Sequence, residues 1–112
     1  MASYTRIGVH KLNHVILIGR LLSDWHYSKT QKNVSVASNI VVTEERRQDG
    51  ESSFEHHEIT VWGNRADQIV ETVKKGDRLS IIGKILTSVY TTKTGKERRS
   101  KKIHVHKFQL EE

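Results

Sequence analysis

The apolar positions of the N-terminal half come in bursts set apart by polar stretches. Asn13–Leu22 carries Val15, Ile16, Leu17 and Ile18 ahead of Gly19, an unbroken run that predicts a strand buried on both sides. Ser23–Asn33 is polar and irregular and predicts a connection. Val34, Val36, Ile40, Val41 and Val42 mark a second strand. Gln48–Ser53 is a turn cluster, so this strand and a third at about Glu55–Trp62 should pair as a long hairpin. In the third strand Ile59 and Val61 alternate with Thr60 and Trp62. One face therefore takes the aliphatics and the other the indole.

The period then changes. Ala66, Ile69, Val70 and Val73 recur at helical spacing within Arg65–Lys75, and Gly76 follows where a C-cap is expected. Leu79, Ile81, Ile82 and Ile85 mark a fourth strand, Thr94-Gly95-Lys96 a hairpin tip, and Ile103, Val105, Phe108 and Leu110 a fifth strand. The order β-β-β-α-β-β is that of an all-β fold, the five-stranded Greek-key OB barrel with one α-helix between strands 3 and 4. An SH3-like barrel, the nearest competitor, has no need of so well formed a helix at that place.

Composition narrows the picture. A chain of 112 residues has room for one core, so residues 1–112 are read as a single domain. Hydrophobic residues make up 35%, mean hydropathy is −0.60, and no run approaches the roughly 18–20 apolar residues that span a bilayer. Met1–Lys11 lacks the apolar centre of a secretory leader. The absence of cysteine excludes disulfides and thiolate metal sites, and the cytoplasm, with the nucleoid, is the expected compartment. The net charge of +6 points to a polyanion, and its distribution says more than its size. Lys84–Lys107 holds eight lysines and arginines against the single acid Glu97, whereas Glu44–Glu58 holds six acids against Arg46 and Arg47.

With the elements placed, several segments resemble the bacterial and mitochondrial single-stranded-DNA-binding protein family. Asn13-His14-Val15-Ile16-Leu17-Ile18-Gly19-Arg20-Leu21 is similar to the family's N-x-V-x-L-x-G-x-L opening strand, and Val36-Ala37-Ser38-Asn39-Ile40 to the start of its second. His57-Glu58-Ile59-Thr60-Val61-Trp62-Gly63, the helix, and Val73-Lys74-Lys75-Gly76-Asp77 resemble its aromatic-ended third strand, its helix and its L-x-K-G turn. Ile82-Gly83-Lys84-Ile85, Tyr90 and Thr94-Gly95-Lys96 complete a match from about Asn13 to Leu110. The resemblance implies binding of single-stranded DNA in replication, recombination and repair, with no enzymatic activity and no cofactor. It also implies self-association as a homotetramer or homodimer and contacts with replication and repair proteins. Arg47 and His56 stand where many members have further aromatics, and Glu58 and Asn64 where some have basic residues. The family's acidic, hydrophobic-ended tail is not found after Glu112. Two alternatives share the fold: a dimeric primosomal adaptor and a protein-interaction module.

Binding a single strand without reading its sequence calls for aromatic faces under the bases and cations along the backbone. Trp62, out of phase with Ile59 and Val61, and Tyr90, among threonines and a lysine, are the expected stacking platforms, with Phe54 and His56 beside them. Lys93, Lys96, Arg98 and Lys101 are the expected phosphate contacts, and Arg46 and Arg47 could stack through their guanidinium planes. Lys74 and Lys75 suit the end of the helix dipole without any ligand. Trp25 either caps the barrel or packs at a subunit contact, and it is left out of the site. His56-His57 and the i, i+2 pair His104/His106 could converge, but adjacent strand residues face apart and a catalytic zinc wants three protein ligands, so no metal site is expected. No nucleophile motif, phosphate-binding glycine loop or carboxylate pair points to an enzyme.

Overall fold

The alternation of apolar and polar residues closes into a barrel in the computed structural model, which describes residues 13–112. The expectation about Met1–Lys11 as a leader lies outside them. In chain order the elements are β1 (Val15–Leu21), β2 (His26–Lys29), β3 (Ser35–Arg46), β4 (Ser52–Trp62), α1 (Asn64–Thr72), β5 (Arg78–Thr91) and β6 (Glu97–Glu111). The sheet runs β1-β5-β6-β4-β3 and returns to β1, with β2 added at the edge of β3. β4 and β6 pair in parallel through Ile59↔Ile103 and Thr60↔His104, while every other pair is antiparallel. This is the five-stranded OB barrel that the spacing predicts.

Inside, Val41, Ile59, Val61, Leu79, Ile81 and Val105 are fully buried, and Ala66, Ile69 and Val73 plug one end from the helix side. Each such aliphatic stabilises the fold by about 1.5–3 kcal/mol on leaving water. Truncating Ile69 to alanine would leave a cavity costing about 2–5 kcal/mol. Buried Asn39 is satisfied locally: its Nδ2 donates to Ser23 O (2.9 Å), while its Oδ1 accepts from the Ile40 amide (2.7 Å) and Ser23 Oγ (3.0 Å). Trp25 lies half-buried against the core, its Nε1 donating to Val73 O at 2.8 Å, so it caps the barrel.

Three expectations need correction. β1 is not buried on both sides: Val15 and Leu17 pack inward, but Ile16 is 70% exposed and Ile18 also faces solvent. Ser23–Asn33 contains β2, an exposed four-residue strand, which antiparallel pairing from His26↔Ser38 to Lys29↔Ser35 holds in place. Tyr27 ties it down further, its hydroxyl bonding Asp67 on α1 and lying 3.0 Å from Ser35 Oγ. The Tyr27 bond, then that of Ser35, holds the Asp67 carboxyl below its ordinary range. The helix ends at Thr72, not Lys75, because Val73 extends to reach the core. Gly76, at φ +87°, is therefore not a C-cap but the third residue of a turn in which the Asp77 amide donates to Lys74 O. Lys74 still serves the helix end, its Nζ donating to Val70 O at 2.6 Å.

Candidate functional site

Strand alternation decides which side chains share a surface. Inward-pointing Ile59 and Val61 leave Trp62, Thr60, Glu58, His56, Phe54 and Ser52 in one outward row along β4. Facing them across β3 are Val36, Ser38, Ile40, Val42, Glu44 and Arg46. Trp62 and Phe54 are eight residues apart, roughly 26 Å along the strand. Trp62 is 42% exposed although Val61 beside it is fully buried. Gly63 keeps it that way: its φ of +71° turns the chain abruptly into α1, and the Ala66 amide donates back to Gly63 O at 3.0 Å.

The same logic sorts the basic hairpin. On β6 Ile103 and Val105 point inward, so Lys101 and Arg99 share their side, whereas Arg98, Lys102 and His104 point outward. Tyr90, 53% exposed, lies directly opposite Arg98. The parallel pairing Thr60↔His104 joins this outward row to that of β4. One continuous surface thus runs from Phe54 and His56 to Trp62, across to His104, and out along the second hairpin to Arg98 and Tyr90. Lys93 lies in the turn at the hairpin's tip and Lys96 closes it, the Thr92 amide donating to Lys96 O at 2.8 Å. Arg46 is on the same outward face of β3, and Arg47 opens the tip of the other hairpin. Lys101 points to the other side of β6, but it lines a groove of about 340 Å³ between β4 and β6 together with His56, Glu58 and Lys102 of the outward rows.

Two histidines outside the expected site lie beside it. Gly83 pairs with Val105 and Ile82 with Lys107, so His106 is an unpaired bulge residue, and its ring centroid is 5.3 Å from that of His104. Burial, then His106, Lys84 and Arg65, hold the His104 imidazole below its ordinary pKa. Their i, i+2 spacing marks them as a pair in the sequence, but only the β4–β6 pairing places them beside Thr60 and the Trp62 row. Among the described residues no lysine or arginine comes within 4 Å of a carboxylate, and the one histidine–carboxylate contact is His57 Nε2 to Glu55 Oε2 at 3.9 Å. The cations of this surface are thus available to an external anion. Among the same residues no three metal-ligating side chains converge, and no helix is long and apolar enough to cross a membrane.

Comparison with known proteins gives a consistent picture. Residues 12–111 match the model of the single-strand binding protein family. A single-stranded DNA-binding protein of Streptococcus pneumoniae is 26% identical over 101 residues, covering 88% of this chain and 65% of that protein. One from Clostridium tetani is 32% identical over 89 residues, 78% of this chain and 61% of its own length. The chain thus spans somewhat under two thirds of these relatives. In three dimensions it is similar to a Plasmodium falciparum protein solved as an SSB complex with ssDNA, with a TM-score of 0.80 at 23% identity over 91% of this chain and 97% of the other.

Proposed function

Because the chain belongs to the single-strand binding protein family, we propose that it binds single-stranded DNA without sequence preference, by stacking and phosphate contacts alone. The observation that carries this reading is the open indole of Trp62 on a strand whose other face is core. A large aromatic left in water on a rigid element is a surface for a ligand to cover, and each stacked base is worth about 1–3 kcal/mol. Phe54 and Tyr90 extend the platform in two directions, with His56 between Phe54 and Trp62. Arg98, Lys102, Lys93 and Lys96 follow the phosphates, and Arg46 and Arg47 reach the strand from the other hairpin.

The protein would cover DNA exposed during replication, recombination and repair, in the cytoplasm at the nucleoid. It would do so as an oligomer, tetramer or dimer, and alongside replication and repair proteins. Exposed Ile16, Ile18 and Ile82 on adjoining strands support self-association, being apolar surface with no cover in the single chain. The test is a titration at fixed salt with oligo-dT and with duplex of equal length. Far tighter binding of oligo-dT, with little dependence on base composition, is expected. Equal affinity for duplex would refute the reading.

A further inference from the structure

The two hairpin arms leave the barrel side by side, and each has a face that the proposed path of the DNA does not use. β4 and β6 pair in parallel at Ile59↔Ile103 and Thr60↔His104, and both arms extend from the N-terminal ends of these strands. The β3–β4 arm runs out to Arg46↔Ser52 and the β5–β6 arm to Thr91↔Glu97. On the side of the sheet that faces the barrel lumen, the first arm presents Glu45, Thr43, Glu55 and His57. Thr43 Oγ1 lies 2.9 Å from His57 Nε2, which is 3.9 Å from Glu55 Oε2, as a shared face requires. The second arm presents, on the same side, Ile85 and Val89 on β5 and Lys101 and Arg99 on β6, in phase with buried Ile103.

These two faces are opposite in sign. Glu45 and Glu55 share theirs with no lysine or arginine, since Arg46 points to the other side and Arg47 lies in the tip. Arg99 and Lys101 share theirs with one acid, Glu97, which is a step nearer the tip and follows Lys96. Glu45, Glu55, Arg99 and Lys101 are all exposed, and among the described residues no lysine or arginine comes within 4 Å of a carboxylate. The chain thus carries both halves of a charge-complementary pair and does not join them itself. Val89, 56% exposed, stands directly opposite Arg99, and Ile85, 39% exposed, continues the same row toward the barrel. Apolar surface in line with unpaired cations is suited to a partner that brings acids.

We propose that the lumen-side faces of the arms form an interface with a second copy of this chain, the acidic arm of each copy lying against the basic arm of the other. Because the arms stand next to each other, a two-fold axis running between them sets each acidic arm on a basic one, so the contact is made twice. Glu45 and Glu55 of one copy then meet Arg99 and Lys101 of the other, and Val89 is covered. Laying like arm on like arm is opposed by charge repulsion, so the pairing has one favoured orientation. This interface shares no residue with the exposed isoleucines of β1 and β5, and it leaves Trp62, Tyr90 and the outward rows open. It therefore adds one step of assembly to whatever particle the isoleucine face forms. The inference goes beyond single-strand binding and does not depend on it.

Sedimentation velocity of the full chain, without DNA and at low and high salt, tests this with two charge reversals. Arg99→Glu/Lys101→Glu makes both faces acidic, and Glu45→Lys/Glu55→Lys makes both basic. All four positions are exposed, so each variant should melt close to the wild type. At low salt the wild type should show a species of twice the mass of its high-salt particle, because salt screens exposed charge. Each variant alone should stay at the high-salt mass, its association weakened by at least about tenfold. An equimolar mixture of the two should regain the doubled mass, since their arms are again complementary. A wild type with one mass at both salts would overturn the proposal. So would doubling that persists in either variant alone, or a mixture of folded variants that does not double. If a double variant fails to fold, Lys101→Glu and Glu55→Lys are compared in the same way. With DNA absent throughout, none of these outcomes bears on the single-strand-binding reading.

Discussion

The two long hairpins have the same tip and opposite charge. In the β3–β4 arm the Arg47 amide donates to Glu51 O (2.7 Å), the Gly50 amide returns to Arg47 O (3.1 Å), and Gly50 takes φ +88°. In the β5–β6 arm the Thr92 amide donates to Lys96 O (2.8 Å), the Gly95 amide returns to Thr92 O (2.9 Å), and Gly95 takes φ +82°. The backbone solution is shared, yet the first arm carries six acids against two arginines over Glu44–Glu58 and the second eight cations against one acid over Lys84–Lys107. The two arms thus differ in side-chain charge and not in the geometry of their tips. In the proposed binding the acidic arm offers a stacking ring, Phe54, with Arg46 and Arg47 as its cations, while the basic arm would take the phosphates around Tyr90.

The strongest way to break that comparison is to give the basic arm the charge of the other. Lys93→Glu/Lys96→Glu/Arg98→Glu/Lys102→Glu should abolish four phosphate contacts, flatten the salt slope by about 2.8 and weaken oligo-dT binding by orders of magnitude. An unchanged slope would mean that these residues only solvate the arm. A smaller change sharpens the comparison within the arm. Arg98→Ala/Lys102→Ala, on the Tyr90 face, should cost about 1.4 in slope, and Arg99→Ala/Lys101→Ala, on the opposite face, almost nothing. Equal losses from the two pairs would show that alternation does not sort the contacts.

The smallest expected effect concerns pH. His104 is faced by His106 and Lys102 on its own strand, Lys84 on β5, Arg65 at the start of α1 and uncharged Thr60 on β4. Its folded pKa is depressed, so the free folded protein binds fewer protons here than the unfolded chain. This contribution to stability is full above the unfolded value of about 6.5 and is lost as pH falls through that value toward the folded one. A phosphate beside the imidazole reverses the preference, because it favours the protonated ring. Affinity for oligo-dT should therefore rise as pH falls from 7 to about 5.5, and His104→Gln/His106→Gln should reduce that rise. An identical pH profile in the variant would exclude the pair from the strand's path.

The barrel was readable because Ile59 and Val61 alternate with polar neighbours on β4 and because the period changes cleanly at Arg65, whereas β3 hides its phase, with Val36, Ile40 and Val42 facing out and Ser35 and Asn39 buried. β1 was misread because Val15–Ile18 are all apolar, so the chain pattern hides that Ile16 and Ile18 point out. β2 left no mark, since His26-Tyr27-Ser28-Lys29 are all exposed and owe their strand form to the β3 edge. Trp62 and Tyr90 stood out as aromatics set against their surroundings, and both are open to solvent. What no local pattern carries is assembly across strands. Arg20 meets Arg78 only through the β1–β5 register, and His104 meets the Trp62 row only through the parallel β4–β6 pairing.

The central claim, that the outward face of β4 is the platform for the bases, is tested most directly by the fluorescence of Trp62. Trp25 also emits, so the measurement uses Trp25→Phe, in which Trp62 is the sole tryptophan. Adding poly-dT should quench its emission in proportion to the DNA bound. In the wild-type background Trp62→Ala should weaken binding by about 1–3 kcal/mol and leave the melting temperature nearly unchanged, because the indole lies on the surface. Full binding of poly-dT by Trp25→Phe with no quenching, together with a steep fall in melting temperature for Trp62→Ala, would contradict the account.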